Sequence, residues 1–242
     1  MKISDRYVLT PKLSLGLKRY LFYLNQSLDK IKNDITLNKE MKYTRNHSIM
    51  GDSNEFTNIE KCIFFLEDRN YFHHNGFELR SIPRFFKRFL RSGSIGGVST
   101  IDQQIVRISL QRSEKTFSRK LNEIILALCI NFHCSKRDMF DYYIHNAYLG
   151  YRIEGCEVAA RQIFGLSAAA LNRDQAAFIA SLLPLPIPKS VLLKYKSHQN
   201  YPFIESKDII EFAQEIDPRW SKRISVRVLH ANKSYNFKPK SL

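Results

Sequence analysis

Helix-start signals recur along this chain and constrain its fold more than any other feature of the sequence. Three pairs of residues have the spacing at which side chains accept hydrogen bonds from the free backbone N–H groups of a first helical turn: Thr57 with Glu60, Ser135 with Asp138, and Asn172 with Gln175. Apolar residues recur at helical spacing after each pair. The pattern stops at Pro184, Pro186 and Pro188, because proline interrupts helices. We therefore predict a mainly α-helical body.

The segments on either side of this body have weaker patterns. Residues 13–31 carry apolar side chains at helical spacing beside lysines and arginines, which predicts an amphipathic basic helix that packs on its own domain or lies on an anionic membrane. Residues 33–54 are polar, and we predict a linker there. Residues 209–216 have a helical pattern, whereas the alternation in residues 224–228 is typical of a strand.

These patterns divide the chain into three parts. Residues 1–56 are predicted to be an N-terminal helix and linker, and residues 57–190 the main domain. Residues 191–242 are predicted to form a short C-terminal extension that is irregular or partly β. Residues 118–132 add a helix to the main domain, with an apolar stripe made of Leu121, Ile124, Ile125, Leu128 and Phe132.

Charge narrows the class of partner. Lys and Arg number 38 against 23 Asp and Glu, which gives a formal charge of +15 and predicts attraction to nucleic acid, anionic lipid or phosphate-bearing substrates. The four cysteines lack metal-ligand spacing and are expected to be reduced thiols. No window approaches the roughly 20 apolar residues that cross a bilayer, so no membrane span and no export signal are expected within the sequence as written.

One polar stretch has the residue types of a catalytic site. Glu67 and Asp68 stand where an apolar segment ends, and aromatic residues, His73, His74 and Gly76 follow. A shielded carboxylate can have its pKa raised toward the working pH of a general base, although a helix that simply ends in charged residues would look the same. Adjacent histidines do not share a helical face, so no metal site is expected at this pair.

Two further stretches have side chains suited to ligands. Residues 80–91 alternate arginines and lysines with aromatic and aliphatic residues, which suits lipid headgroups or phosphates but also a solvated helix face over a core stripe. Residues 92–97 are rich in Gly and Ser, and residues 98–104 carry hydroxyl and amide side chains that can hold polyoxygenated ligands. Such residues are also ordinary at helix starts.

Together these stretches resemble the peptidoglycan glycosyltransferases, the family 51 glycosyltransferases with a lysozyme-like helical fold. Glu67-Asp68 with His74, Gly76 and Glu78 is similar to the family's first motif, and residues 97–104 contain a version of its Ser-Thr-Ile-x-Gln-Gln motif. Residues 119–123 are similar to its Arg-Lys-x-x-Glu motif. Two more stretches, in residues 135–150 and 155–165, extend the resemblance over roughly residues 57–188.

The resemblance implies an inverting transfer from a polyprenyl-pyrophosphate-linked sugar, similar to lipid II, to the 4-hydroxyl of a glycan acceptor. It implies that Glu67 is the catalytic base and that Glu123 is a second catalytic acid residue, facing the donor pyrophosphate and a divalent cation, Mg²⁺ or Mn²⁺. The implied substrate-binding residues are Asp68, His74, Ser99, Thr100, Gln103, Gln104, Arg107, Lys115, Arg119 and Lys120. His74 is expected to orient the Glu67 loop through hydrogen bonds.

The family acts on the outer face of the cytoplasmic membrane. The resemblance therefore implies a membrane-associated enzyme, which as written would dock peripherally on an anionic surface through residues 13–31 and 80–91. Nucleic acid is not an expected partner. A departing pyrophosphate needs no proton, so one base beside a cationic pocket favours a transferase over a glycoside hydrolase, in which a second carboxylic acid protonates the leaving oxygen.

Several positions depart from the family's pattern. Asp102 replaces a usual hydroxyl residue and is expected to add negative charge near the donor, while Asn131, His145 and Gln175 replace Glu, Asn and Glu. These changes are expected to affect substrate choice more than catalysis. They leave two alternatives to peptidoglycan synthesis: a polymerase for another lipid-linked oligosaccharide, and a non-catalytic protein that binds lipid-linked glycans or scaffolds an envelope complex.

Overall fold

A computed structural model of the chain describes residues 13–45, 56–78, 99–111, 116–237 and 239. Within these ranges it contains ten α-helices and one small antiparallel sheet, so the prediction of a mainly α fold is confirmed. Lys115 and the stretch 80–98 lie outside the described residues, and their predicted roles stay predictions. Among the described helices, none combines the length and the apolar composition that a bilayer crossing requires.

The helices follow one another through short connections. Their bounds are α1 Leu13–Arg45, α2 Asn58–Glu67, α3 Ile101–Leu110, α4 Phe117–Ile130, α5 Lys136–Asn146, α6 Cys156–Phe164, α7 Arg173–Ser181, α8 Lys189–Lys196, α9 Ser206–Gln214 and α10 Pro218–Ala231. The strands β1, Tyr148–Gly150, and β2, Ile153–Glu154, form an antiparallel hairpin between α5 and α6. Short 3₁₀ turns occupy Tyr71–His73, Ala168–Ala170 and Asn232–Asn236.

The predicted capping pairs are confirmed. Thr57 with Glu60, and Asn172 with Gln175, each form both hydrogen bonds of a capping box, at α2 and α7. Ser135 accepts from the backbone N–H of Asp138 at 3.1 Å and starts α5. Gln175 also donates to the carbonyl of Ile204 at 3.0 Å, so its amide serves the fold.

Helix α7 lies at the centre of the molecule. It packs against α2 on one side and α10 on another, and every residue from Gln175 to Ser181 is buried. The apolar core also includes Ile31 of α1 and Ile224 of α10. The division at residues 56 and 190 stays a prediction, while buried residues from all three predicted parts meet in this core.

The linker predicted for residues 33–54 is wrong over its first part, because α1 continues to Arg45. Ile31, Ile35 and Asn38 are spaced so that they share one helical face, and all three are buried. That face packs against α3, α4 and α5, and Asn38 donates to Asp141 at 3.2 Å. Tertiary packing therefore maintains a helix whose remaining residues are polar.

The strand predicted for residues 224–228 is also wrong, because the segment belongs to α10. Trp220, Ile224 and Val228 recur every four residues and are buried, whereas Val226 is 64% exposed. A five-residue run with apolar ends fits both periodicities. The decisive signal stands earlier in the chain, where Asp217 caps the helix and Pro218 occupies its first turn. The helix predicted in residues 209–216 is confirmed as α9.

The apolar stripe predicted on α4 faces outward. Leu121, Leu128 and Phe132, which follows the helix, are 48%, 39% and 81% exposed. The opposite side of α4 buries Glu123 and Ala127. The helix is therefore amphipathic in an unusual sense, with charged residues turned into the protein and apolar residues turned out.

Candidate active site

Glu67 is the last residue of α2, and its carboxylate is held by two other helices. Its Oε2 accepts from the amide of Gln104 on α3 at 3.0 Å, and its Oε1 forms an ion pair with the guanidinium of Arg227 on α10. Only 12% of the Glu67 side chain is exposed. Burial raises the pKa of the Glu67 carboxyl, and Arg227 and Gln104 oppose that rise.

The Gln104 amide is itself oriented. Its Oε1 accepts from the hydroxyl of Tyr143 on α5 at 3.0 Å, so its NH₂ group faces Glu67. Burial raises the pKa of Tyr143 well above its usual value, which keeps this hydroxyl a donor. The orientation of the carboxylate therefore depends on α2, α3, α5 and α10 together.

His74 ties the loop after α2 to the start of α3. Its Nε2 lies 3.0 Å from both oxygens of Asp68, and Asp68 also accepts from the backbone N–H of Ile101 at 3.2 Å. The prediction that His74 orients the Glu67 loop by hydrogen bonding is confirmed. Both side chains are nearly enclosed, and direct contact between substrate and Asp68 or His74 stays a prediction.

Asp102 does not face the donor side, and the expectation of added negative charge there is wrong. Its side chain is fully buried beneath α3, where Oδ2 accepts from the ammonium of Lys136 at 2.7 Å and lies 3.5 Å from Nδ1 of His74. The reason is helical phase, because position 102 points away from the side of α3 that carries Gln104. Lys136 balances the buried charge.

Thr100 and Gln103 hold the same loop against α4. Thr100 caps α3 and donates to the carbonyl of Gly76 at 2.9 Å, while the Gln103 amide donates to that carbonyl at 3.1 Å. Gly76 has φ +87°, and a Cβ built on it would lie 2.4 Å from the carbonyl oxygen of Ala127. Only glycine fits this position, because it needs both the left-handed conformation and the close approach to α4.

Glu123 on α4 is the centre of a cluster of basic side chains. Its Oε1 accepts from Arg107 at 3.2 Å and from Arg119 at 2.5 Å, and its Oε2 lies 3.5 Å from the ammonium of Lys120. Lys120 also donates to Ser99 at 2.7 Å. Three cations around one carboxylate leave the cluster positively charged.

Lys120 is the most deeply placed of these cations. It is buried, and its ammonium donates to Gln103 at 2.5 Å as well as to Ser99. Burial lowers the pKa of Lys120 to about 8, against the opposing influence of Glu123. Its charge therefore depends on pH within the range in which enzymes work.

The residues at this cluster do not fit a metal ion held by the protein alone. Glu123 Oε2 is buried without a hydrogen-bond partner and could bind a cation. Mg²⁺ needs several oxygen ligands, and the described residues hold no group of three or more His, Cys, Asp or Glu suited to a metal. The three basic side chains would also repel the ion. The Mg²⁺ or Mn²⁺ prediction stays a prediction, and we derive no step through it.

The structure thus brings together nearly all of the predicted site residues that it describes. Arg227 was missed, because its segment was assigned to a strand and its contact with Glu67 joins residues 160 positions apart. A helical interpretation of residues 218–231 would have placed Arg227 beside the buried face of Ile224 and Val228.

Comparison with known proteins agrees with the geometry. Residues 35–204, more than half of the chain, match the family described as Transglycosylase. The biosynthetic peptidoglycan transglycosylases of Alcanivorax borkumensis and Thiobacillus denitrificans are 35% and 34% identical over 129 and 130 residues, which are 53% of this chain and 53% and 56% of those proteins. Penicillin-binding protein 2a of Streptococcus pneumoniae is 34% identical over 129 residues, 53% of this chain and 17% of that protein.

The chain therefore spans about half the length of the curated transglycosylases that it matches. Glu67, Gln104 and Glu123 lie inside the family match, whereas Arg227 lies beyond its end. The match and the motifs lead to one conclusion: this chain belongs to the transglycosylase family.

Proposed function

We propose that the protein is an inverting glycosyltransferase that extends a glycan from a polyprenyl-pyrophosphate-linked sugar. The observation that carries the proposal is the pairing of a shielded carboxylate, Glu67, with a positively charged cluster around Glu123, both reached from α3. Two relatives are named for peptidoglycan biosynthesis, which makes a donor similar to lipid II the first to test.

Glu67 would act as the general base. The acceptor hydroxyl would give its proton to a Glu67 oxygen while the hydroxyl oxygen attacks the anomeric carbon of the donor and inverts it. Burial supports this role, because a carboxylate with a raised pKa accepts a proton more readily. Gln104 would keep the carboxylate aimed during the transfer.

The basic cluster would stabilise the leaving group. The bond between the anomeric carbon and the pyrophosphate oxygen breaks with its electron pair on the pyrophosphate, so negative charge develops there. Arg107, Arg119 and Lys120 are fixed in place before the substrate arrives, and preorganised cations of this kind lower the barrier. A hydrolase would instead need an acid at this position, but Glu123 Oε1 is occupied by two guanidinium groups.

We also propose an anionic membrane surface as a partner, since both substrates would be lipid-linked. The outward stripe of α4, with Leu121, Leu128 and Phe132, supports this. The hydroxyl of Tyr20 donates to Asn122 at 2.7 Å, so α1 lies beside that stripe and brings the exposed Phe22 near it. Apolar groups within a basic protein suit the headgroup boundary of an anionic bilayer.

A donor assay tests the enzymatic proposal. The protein would be incubated with labelled lipid II, and separately with other lipid-pyrophosphate oligosaccharides, in anionic vesicles. We expect polymer from at least one donor, with the anomeric configuration inverted relative to the donor in its NMR spectrum. A folded protein that releases no product from any donor, or that retains the configuration, would contradict the proposal.

A second function is favoured by one contact. Both oxygens of Glu67 are engaged in the structure, one of them by Arg227, as they would be in a descendant that binds lipid-linked glycans without turnover. The buried position of Asp102 removes one reason for this alternative, because its charge does not reach the donor side. Saturable donor binding with no product would favour the binding protein.

A further inference from the structure

We infer that Arg227 is a positioning residue for Glu67, which holds the carboxylate ionised and oriented so that it can accept the proton of the acceptor hydroxyl. The inference rests on the proposed function and adds to the site a residue from α10, which lies beyond the family match at residues 35–204. The C-terminal segment would thereby contribute to chemistry as well as to the core.

The geometry is specific to the two groups. Arg227 Nη2 contacts Oε1 of Glu67, while Gln104 holds Oε2, so the two oxygens have different partners on different helices. Arg227 is fixed from behind, because its neighbours Ile224 and Val228 anchor α10 in the core. A charge-assisted bond to one oxygen and a neutral amide on the other restrict rotation of the carboxylate.

The contact is also accessible. The Arg227 side chain is 24% exposed and borders an open groove of about 510 Å³, whose other lining residues are Leu185, Lys222, Arg223, Val226 and His230. An ion pair sealed in the core would be explained by packing alone. This pair lies at the edge of a groove that a glycan can enter.

Charge explains why such a residue is needed. Glu67 is faced by Asp68 at the end of α2, by Tyr143 on α5 and by Arg227 on α10, and His230 lies one turn beyond Arg227. Burial and Asp68 both favour the protonated form of Glu67, whereas Arg227 and Gln104 favour the ionised form. A protonated carboxyl cannot act as a base, so the cation keeps a buried base usable at neutral pH.

The test uses the full chain and three substitutions. Arg227→Met removes the charge, Arg227→Gln keeps a donor without the charge, and Arg227→Lys keeps the charge. Arg219→Met removes a positive charge from an exposed position on the same helix and serves as the matched control. Circular dichroism and thermal melts establish that each variant folds.

Two readouts are measured for each variant. The first is the dependence of kcat/KM on pH. The second is the pKa of the Glu67 carboxyl, obtained from the infrared titration difference between each variant and its Glu67→Gln counterpart, which needs no turnover. A second series on the His230→Gln background removes the titration of that neighbour.

For Arg227→Met and Arg227→Gln we expect the acidic limb of kcat/KM and the carboxyl pKa to move upward by about one to three units, because a nearby cation depresses a carboxyl pKa by that amount. Activity should return at higher pH. Arg227→Lys should retain most of the wild-type profile, and Arg219→Met should match it.

Three results would overturn the inference: an unchanged Glu67 pKa with activity reduced equally at every pH, higher activity of Arg227→Met throughout, or loss of folding in all three Arg227 variants. The first and third would make Arg227 a structural tether, and the second would make it an inhibitory contact. If the wild-type protein makes no polymer but the carboxyl pKa still rises in Arg227→Met, the proposed function fails while the electrostatic role of Arg227 stands.

Discussion

Gln104 and Arg107 lie about one turn apart on α3, and the first donates to Glu67 while the second donates to Glu123. Residues three apart share a helical face, so a single helix sets the relative placement of the two carboxylates. The base and the leaving-group cluster are therefore coupled through α3, and a change in that helix should affect both.

Substitution of Gln104 tests this coupling. Gln104→Leu removes the donor to Glu67 and the acceptor for the Tyr143 hydroxyl, which leaves a buried donor unpaired. We expect the free energy of unfolding to fall by about 1–3 kcal/mol. We also expect kcat to fall about tenfold or more, because the base loses its orientation. Urea melts and initial rates measure both effects, with Gln214→Leu on the exposed end of α9 as the control.

The charge of Lys120 should set the basic limb of the pH profile. Its pKa is lowered by burial to about 8, so the ammonium is present below that pH and is lost as pH rises through it. We expect kcat/KM to fall above about pH 8, and Lys120→Arg to remove that limb, since guanidinium stays charged. A limb unchanged in Lys120→Arg would assign it to another group.

The buried pair of Asp102 and Lys136 should matter for stability more than for substrate choice. Lys136→Met leaves the Asp102 carboxylate buried without its cation, and we expect a loss of about 3–5 kcal/mol in the free energy of unfolding. The double variant with Asp102→Asn should recover part of this loss. Lys207→Met, at an exposed ion pair on α9, should change stability by less than about 1 kcal/mol.

The outward stripe of α4 should contribute to membrane binding. We expect Phe132→Ser and Leu128→Ser to reduce co-sedimentation with vesicles that contain anionic lipid, because each removes exposed apolar surface. Leu193→Ser, on the exposed side of α8, is the matched control. Equal binding by all three variants would place the membrane surface elsewhere.

Local features of this fold were predictable from the sequence, and long-range contacts were not. The pairs Thr57 with Glu60 and Asn172 with Gln175 act within one helical turn, so their spacing alone identifies them. The extension of α1 depends on Ile35 and Asn38 meeting α5, and no local rule contains that contact.

The site shows the same distinction. Family motifs located Glu67 and Glu123, yet the inward position of Asp102 follows from its helical phase once the bounds of α3 are known. Arg227 reaches Glu67 only because α10 packs against α7 and α2. A sequence pattern does not show which distant helices will meet.

The most direct test of the central claim compares Glu67→Gln with Glu211→Gln, a substitution at an exposed carboxylate on α9. Both variants would be assayed for glycan polymer from a lipid-pyrophosphate donor that the wild-type protein uses, after thermal melts show that they fold. We predict that Glu67→Gln loses at least about 100-fold in kcat, because an amide cannot accept the proton, while Glu211→Gln keeps the wild-type rate. Polymer formation by Glu67→Gln at the wild-type rate would contradict its assignment as the general base.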